Sequence, residues 1–98
     1  MRFEWDAAKN EINRRKHGID FDTAKYAFYD PLARSVLDRE IGGEQRWQTI
    51  GRIGDGLLVV LVVHTLAGRG DDYLIRVISA RKATPRERRF YEEGDWGE

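Results

Sequence analysis

Cysteine is absent from these 98 residues, so there is no disulfide framework, no thiol nucleophile and no Cys-based zinc site. Histidine is nearly as scarce, with only His17 and His64, and neither a metal site nor a cofactor is expected. Net charge is missing too, because 17 Lys+Arg balance 17 Asp+Glu. That excludes a uniformly basic nucleic-acid binder and an acidic mimic, but not a polarised molecule. The longest apolar run, residues 57–63, is far too short to span a bilayer. Met1-Arg2-Phe3-Glu4-Trp5-Asp6 carries acids where a secretory leader needs an apolar stretch. The expectation is a cytoplasmic protein without membrane contact. No repeat or linker interrupts the chain, and its length suits one domain, residues 1–98, with a single small core.

The cations that are present are mostly of one kind. Thirteen are Arg and four are Lys, and Arg is the residue suited to forked contact with phosphate or carboxylate. They are also clustered. Residues 81–89 hold Arg81, Lys82, Arg86, Arg88 and Arg89 against Glu87 alone, and Arg14-Arg15-Lys16-His17 forms a second group. Residues 92–98 carry four acids and no base. Zero net charge is therefore a cancellation. If the two basic clusters meet across a sheet they make a basic cleft; otherwise they are solvated helix faces.

Local signals predict an α+β fold. Asp6 is an N-cap for a polar helix reaching His17, and Gly18 supplies the left-handed residue that ends it. Asp20 caps a second helix burying Phe21, Ala24, Ala27 and Phe28, which stops at Asp30-Pro31. Together these make an N-terminal αα-hairpin. Strands are expected at residues 33–38, 46–53, 57–65 and 73–80, forming a four-stranded antiparallel sheet. Gly54-Asp55-Gly56 marks a hairpin turn, residues 67–72 a polar link, and the run 57–65 a strand buried on both faces. Thr84-Pro85-Arg86-Glu87 is a capping box with Pro at the first helical position, opening a C-terminal helix to about residue 93.

No phosphate-binding loop, nucleophile elbow or convergent acid cluster stands out, which disfavours nucleotide hydrolysis and metal catalysis. What remains is a polar set on or beside the sheet. Arg76 interrupts an apolar strand, sharing a face by alternation with Leu74, Ile78 and Ala80. It is either a structural ion pair, with Glu44 or Glu87, or a cleft-facing cation. Arg81 ends the same strand beside a helix N-terminus. Glu44 and Arg46 open another strand, with Trp47 on the opposite face; Glu44 is a base or holds an arginine. His17 is a helix-end residue or an acid–base group, and His64 reads as a buried, satisfied histidine. This inventory fits metal-free RNA cleavage, in which the 2′-OH attacks the adjacent phosphate. Arg stabilises the phosphorane charge, and His, Glu, Lys or Tyr91 moves protons.

Nearly the whole chain also resembles the BrnT family of bacterial type II toxins. The residues that carry the likeness are Phe3-Glu4-Trp5-Asp6, Lys16-His17-Gly18-Ile19 with Phe21, and Phe28-Tyr29-Asp30-Pro31. Glu44 with Arg46-Trp47, Ile50-Gly51, Arg76 through Ala83, and Glu87-Arg88 with Tyr91 complete it. The resemblance implies a RelE-like fold and a growth-arresting ribonuclease. It also implies an adjacent ribbon-helix-helix antitoxin, BrnA, in a hetero-oligomer that reaches operator DNA only through the antitoxin. It marks Lys16, His17, Glu44, Arg46, Arg76 and Arg81 as catalytic candidates. Arg69, Lys82, Arg86, Arg88, Arg89 and Tyr91 are candidates for RNA contact. The rival reading is a non-catalytic RelE-like module that binds antitoxin and acts as co-repressor. The family pattern is left at residues 66–72 and in the acidic tail.

Overall fold

The computed structural model describes residues 1–55 and 58–94. Strand β1 is Arg2–Glu4, helix α1 Ala7–His17, helix α2 Phe21–Ala24 with a 3-10 helix Lys25–Tyr29 continuing it, and β2 Arg34–Ile41. Then come β3 Glu44–Ile53, β4 Leu58–Arg69, β5 Asp72–Lys82 and helix α3 Pro85–Glu93. Gly56, Leu57 and residues 95–98, on which part of the expected turn, strand and acidic tail fall, lie outside the described residues.

The helix ends form where local chemistry dictates. The Asp6 carboxylate accepts from the Lys9 N–H at 2.9 Å, and Gly18, at φ +73°, closes α1. At α3, Thr84 Oγ1 accepts from the Glu87 N–H at 3.2 Å while Glu87 returns the bond to the Thr84 N–H at 2.9 Å. The expected second helix is split. Phe21, Ala24 and Ala27, all fully buried, recur every three residues, the period of a 3-10 helix, in which i and i+3 eclipse.

The sheet differs from expectation in number and direction. It has five strands in the order β1-β5-β4-β3-β2, and β1 runs parallel to β5 while the other pairs are antiparallel. The expected four-stranded antiparallel sheet lacked β1, whose three residues are too few to mark a strand on their own. Residues 67–72 are mostly strand, not link: β4 runs to Arg69 opposite Asp72. A register shift between β4 and β5 leaves Ile78 as an extra residue. It overturns the expected alternation, because Ala80 packs with Ile75 and Val77 while Arg76 lies on the other face.

Two cores form, one on each side. Val60, Val62, Ile75 and Val77 meet Phe21, Ala24 and Ala27 under the first helices, and Val59, Leu61 and Ile50 meet Phe90 and Tyr91 of α3. Gly51 lets the 3-10 helix touch the sheet, since a Cβ there would stand 2.5 Å from the Ala27 carbonyl oxygen. Beyond the end of β1, α1 covers the β5 edge. Asn13 donates to the Ala80 and Ile19 carbonyls at 2.9 and 3.0 Å and accepts from the Ala80 N–H at 3.1 Å.

Candidate functional site

Among the described residues, helix α3 covers one end of its sheet face and leaves the other end open. Across the open end, cross-strand partners share a face and can be followed strand by strand. Arg39 of β2 is opposite Arg46 of β3, Thr65 of β4 is opposite Arg76 of β5, and Arg76 is opposite Glu4 of β1. Arg46 precedes Trp47, the partner of His64, and so lies beside Thr65. The row is thus Arg39, Arg46, Thr65, Arg76, Glu4. With strands about 4.8 Å apart, Arg46 and Arg76 stand about 10 Å apart at the backbone.

The two inner arginines differ in how they are held. Arg46 Nε is buried and has no hydrogen-bond partner among the described residues. An orphaned donor on a charged group is costly until an acceptor reaches it. Arg76 bonds Glu4 through one nitrogen at 3.4 Å, and both side chains are about half exposed. Neither Glu44 nor Glu87 pairs with it. Glu44 is exposed at the start of β3, on the Arg46 face.

Arg81 and Tyr91 sit at the covered end, where their polar atoms are engaged. The Arg81 guanidinium donates to both Glu87 oxygens, at 2.7 and 2.8 Å. The pairing raises the Arg81 pKa and lowers that of Glu87. Tyr91 is buried, and its hydroxyl donates to Asp30 at 2.5 Å. Asp30 also accepts from the Arg52 N–H at 2.8 Å, beyond the point where β2 begins, and from the Leu32 N–H at 2.9 Å. Burial opposes ionisation of Asp30, yet the Tyr91 bond and the two backbone N–H groups hold its pKa below the usual value. Burial and the Asp30 contact raise the Tyr91 pKa. One carboxylate therefore ties the front helices, the β3 edge and α3 together.

The two basic clusters do not merge. Lys16 and His17 line a groove of about 220 Å³ along the β5 edge, with Asn13, Ile78 and Ser79. Arg14 and Arg15 are turned to Glu11. Arg86, Arg88 and Arg89 ride on α3, on the other side of the sheet, and Arg88 approaches Glu92 at 3.7 Å. Lys82 and Arg69 stand near opposite ends of the β4–β5 ladder, roughly 30 Å apart by strand length. A larger hollow of about 470 Å³, walled by Tyr26, Tyr29, Asp30 and Arg52, contains none of the catalytic or RNA-contact candidates chosen from the sequence.

His64 is buried and satisfied. Its Nδ1–H donates to the Thr65 carbonyl at 3.0 Å, which leaves Nε2 to accept from the Thr49 hydroxyl at 2.7 Å. Thr49 meets Ser35 at 2.7 Å, and the Phe28 ring stands edge-on at 4.8 Å. Burial lowers the His64 pKa, with the Thr65 bond acting against it.

Sequence reasoning missed Glu4 and Arg39 as members of the row. The hint for Glu4 was the charged residue on either side of Phe3, a short alternation; nothing local marks Arg39. Among the described residues no three His, Asp or Glu side chains converge as a metal would require, and no helix is long and apolar enough to cross a membrane.

Residues 5–87 match the family model described as ribonuclease toxin, BrnT, of type II toxin-antitoxin system. No curated protein matches the chain.

Proposed function

Because the chain belongs to the BrnT family of type II toxin–antitoxin ribonuclease toxins, we propose that it is a metal-independent endoribonuclease whose reaction centre is the open end of the sheet. Membership already implies a protein antitoxin as partner. The observation that carries the site is the cation row. Arg46 has a buried donor lacking an acceptor, and Arg76 is held by one long bond, so both guanidiniums gain by meeting phosphate.

In the reaction the ribose 2′-OH attacks the neighbouring phosphorus, and negative charge builds on the non-bridging oxygens. Arg46 and Arg76, about 10 Å apart at the backbone, are long enough to converge on one phosphate from two strands. Lys16 or His17, in the β5-edge groove, serves the leaving 5′ oxygen, and Glu44 lies on the rim beside Arg46. Arg81 stands at the covered end of the same face, where its pairing with Glu87 holds it in the fold and away from the phosphate. Arg69, Lys82, Arg86, Arg88, Arg89 and Tyr91 surround this centre at greater distance. Of these, the exposed cations give the longer-range attraction that phosphate binding draws on.

The wider reading is a single RelE-like domain over residues 1–98, acting in the cytoplasm to arrest translation and growth. A BrnA-type ribbon-helix-helix antitoxin neutralises it, and the complex represses its own operon through the antitoxin's DNA contacts. Induced expression should stop growth and generate new RNA 5′ ends. Co-expressed antitoxin should reverse both, and cleavage by the purified protein should survive EDTA. Intact RNA with abundant folded protein that still binds antitoxin would establish the non-catalytic module instead.

A further inference from the structure

We infer that Glu4 is the proton acceptor of the reaction, an inference that rests on the ribonuclease reading above. Glu4 lies at the end of the cation row, and the register places it directly beside Arg76 on the open face. The Arg76 guanidinium holds its carboxylate at 3.4 Å through a single nitrogen. Both groups are about half exposed, so the pair adds little to stability and leaves carboxylate oxygen free to meet substrate. Glu44 shares this face but lies beyond Arg46, across three strands from Glu4 and two from Arg76. A base and the cation that stabilises the transition state must reach one scissile phosphate together, and in this row Glu4 and Arg76 are side by side.

The step balances without a metal or redox partner. Glu4 takes the proton of the 2′-OH as the 2′ oxygen forms its bond to phosphorus. The bond from phosphorus to the 5′ oxygen breaks, and that oxygen leaves with a proton from the Lys16 ammonium or from water. The products are a 2′,3′-cyclic phosphate and a 5′-hydroxyl end.

A neighbouring pair supplies the control. Arg2 donates to Asp72 at 3.2 Å on the same two strands and the same face, one row away. If Glu4 merely pins β1 to β5, Glu4→Gln and Asp72→Asn should have similarly small effects. The test is single-turnover cleavage of a single-stranded RNA oligonucleotide by wild type, Glu4→Gln, Glu4→Asp and Asp72→Asn across a pH series, with melting temperatures of each. Expected is a loss of about 10²–10⁴-fold for Glu4→Gln. The acidic limb of its pH–rate profile should vanish and its melting temperature should stay unchanged. Glu4→Asp should recover part of the rate, and Asp72→Asn should match wild type. A Glu4→Gln rate and pH profile equal to wild type overturns the inference while leaving the ribonuclease reading intact. Wild type that does not cleave overturns both. If Glu4→Gln fails to fold, Glu4→Asp decides, because a wild-type rate with the shorter carboxylate overturns the inference.

Discussion

The same face of the sheet holds its arginines in two ways. At the covered end Arg81 is clamped by both oxygens of Glu87, which in turn caps α3, and Tyr91 is tied through Asp30 to the β3 edge. At the open end Arg46 has an orphaned buried donor and Arg76 a single long bond to a half-exposed carboxylate. A guanidinium whose acceptors are already in place stabilises the fold. One that is held but under-supplied can meet a phosphate. Residue type is identical in the two places, and the neighbourhood separates the roles.

Changes at the closed end should cost stability, and changes at the open end should cost rate. The largest stability effect is expected at Gly51, where any Cβ collides with the Ala27 carbonyl oxygen, which is main chain and cannot swing aside. Gly51→Ala should destabilise by about 3 kcal/mol or more in a denaturant melt. Arg46→Ala and Arg76→Ala should each lower RNA cleavage by about 10²–10³-fold without lowering the melting temperature. Tyr91→Phe removes one hydroxyl from Asp30 and should cost about 1–2 kcal/mol while RNA cleavage persists. A Tyr91→Phe protein that is stable but inactive would break the division.

The smallest effect is a pH slope from His64. Burial lowers its folded pKa below the ordinary value of 6.5, so the unfolded chain takes up the proton first. The stability gained from a neutral His64 is present above about pH 6.5 and is lost as pH falls below it. Denaturant melts between pH 5 and 8 should show that slope, and His64→Gln should flatten it. The lowered pKa values of Asp30 and Glu87 act in a more acidic window, where their stabilisation is lost as pH falls below the usual carboxylate range.

Legibility from the sequence followed the range of the interactions. α1 and α3 were readable because Asp6, Gly18, Thr84, Pro85 and Glu87 act within one turn of where they stand. The apolar run in β4 was readable because both of its faces are buried. β1 was not, because only its pairing with β5, some 70 residues away, makes three residues a strand. The extra residue at Ile78 was also invisible, and it alone put Arg76 and Ala80 on different faces against a strict alternation. Arg46 and Arg76 could be chosen from their odd setting in the chain, but the row that unites them with Glu4 exists only through cross-strand register. The partners of Arg81 and Tyr91 divide in the same way. Glu87 lies six residues from Arg81 and belonged to a recognised motif, whereas Asp30 is 61 residues from Tyr91.

The most direct test measures rate and stability together on one variant from each end. Single-turnover RNA cleavage and thermal melting would be recorded for wild type, Arg76→Ala and Tyr91→Phe. The prediction is that Arg76→Ala melts like wild type and loses at least about 100-fold in rate, while Tyr91→Phe melts lower and still cleaves. Cleavage by folded Arg76→Ala at the wild-type rate would contradict the assignment of the reaction to the open end of the sheet.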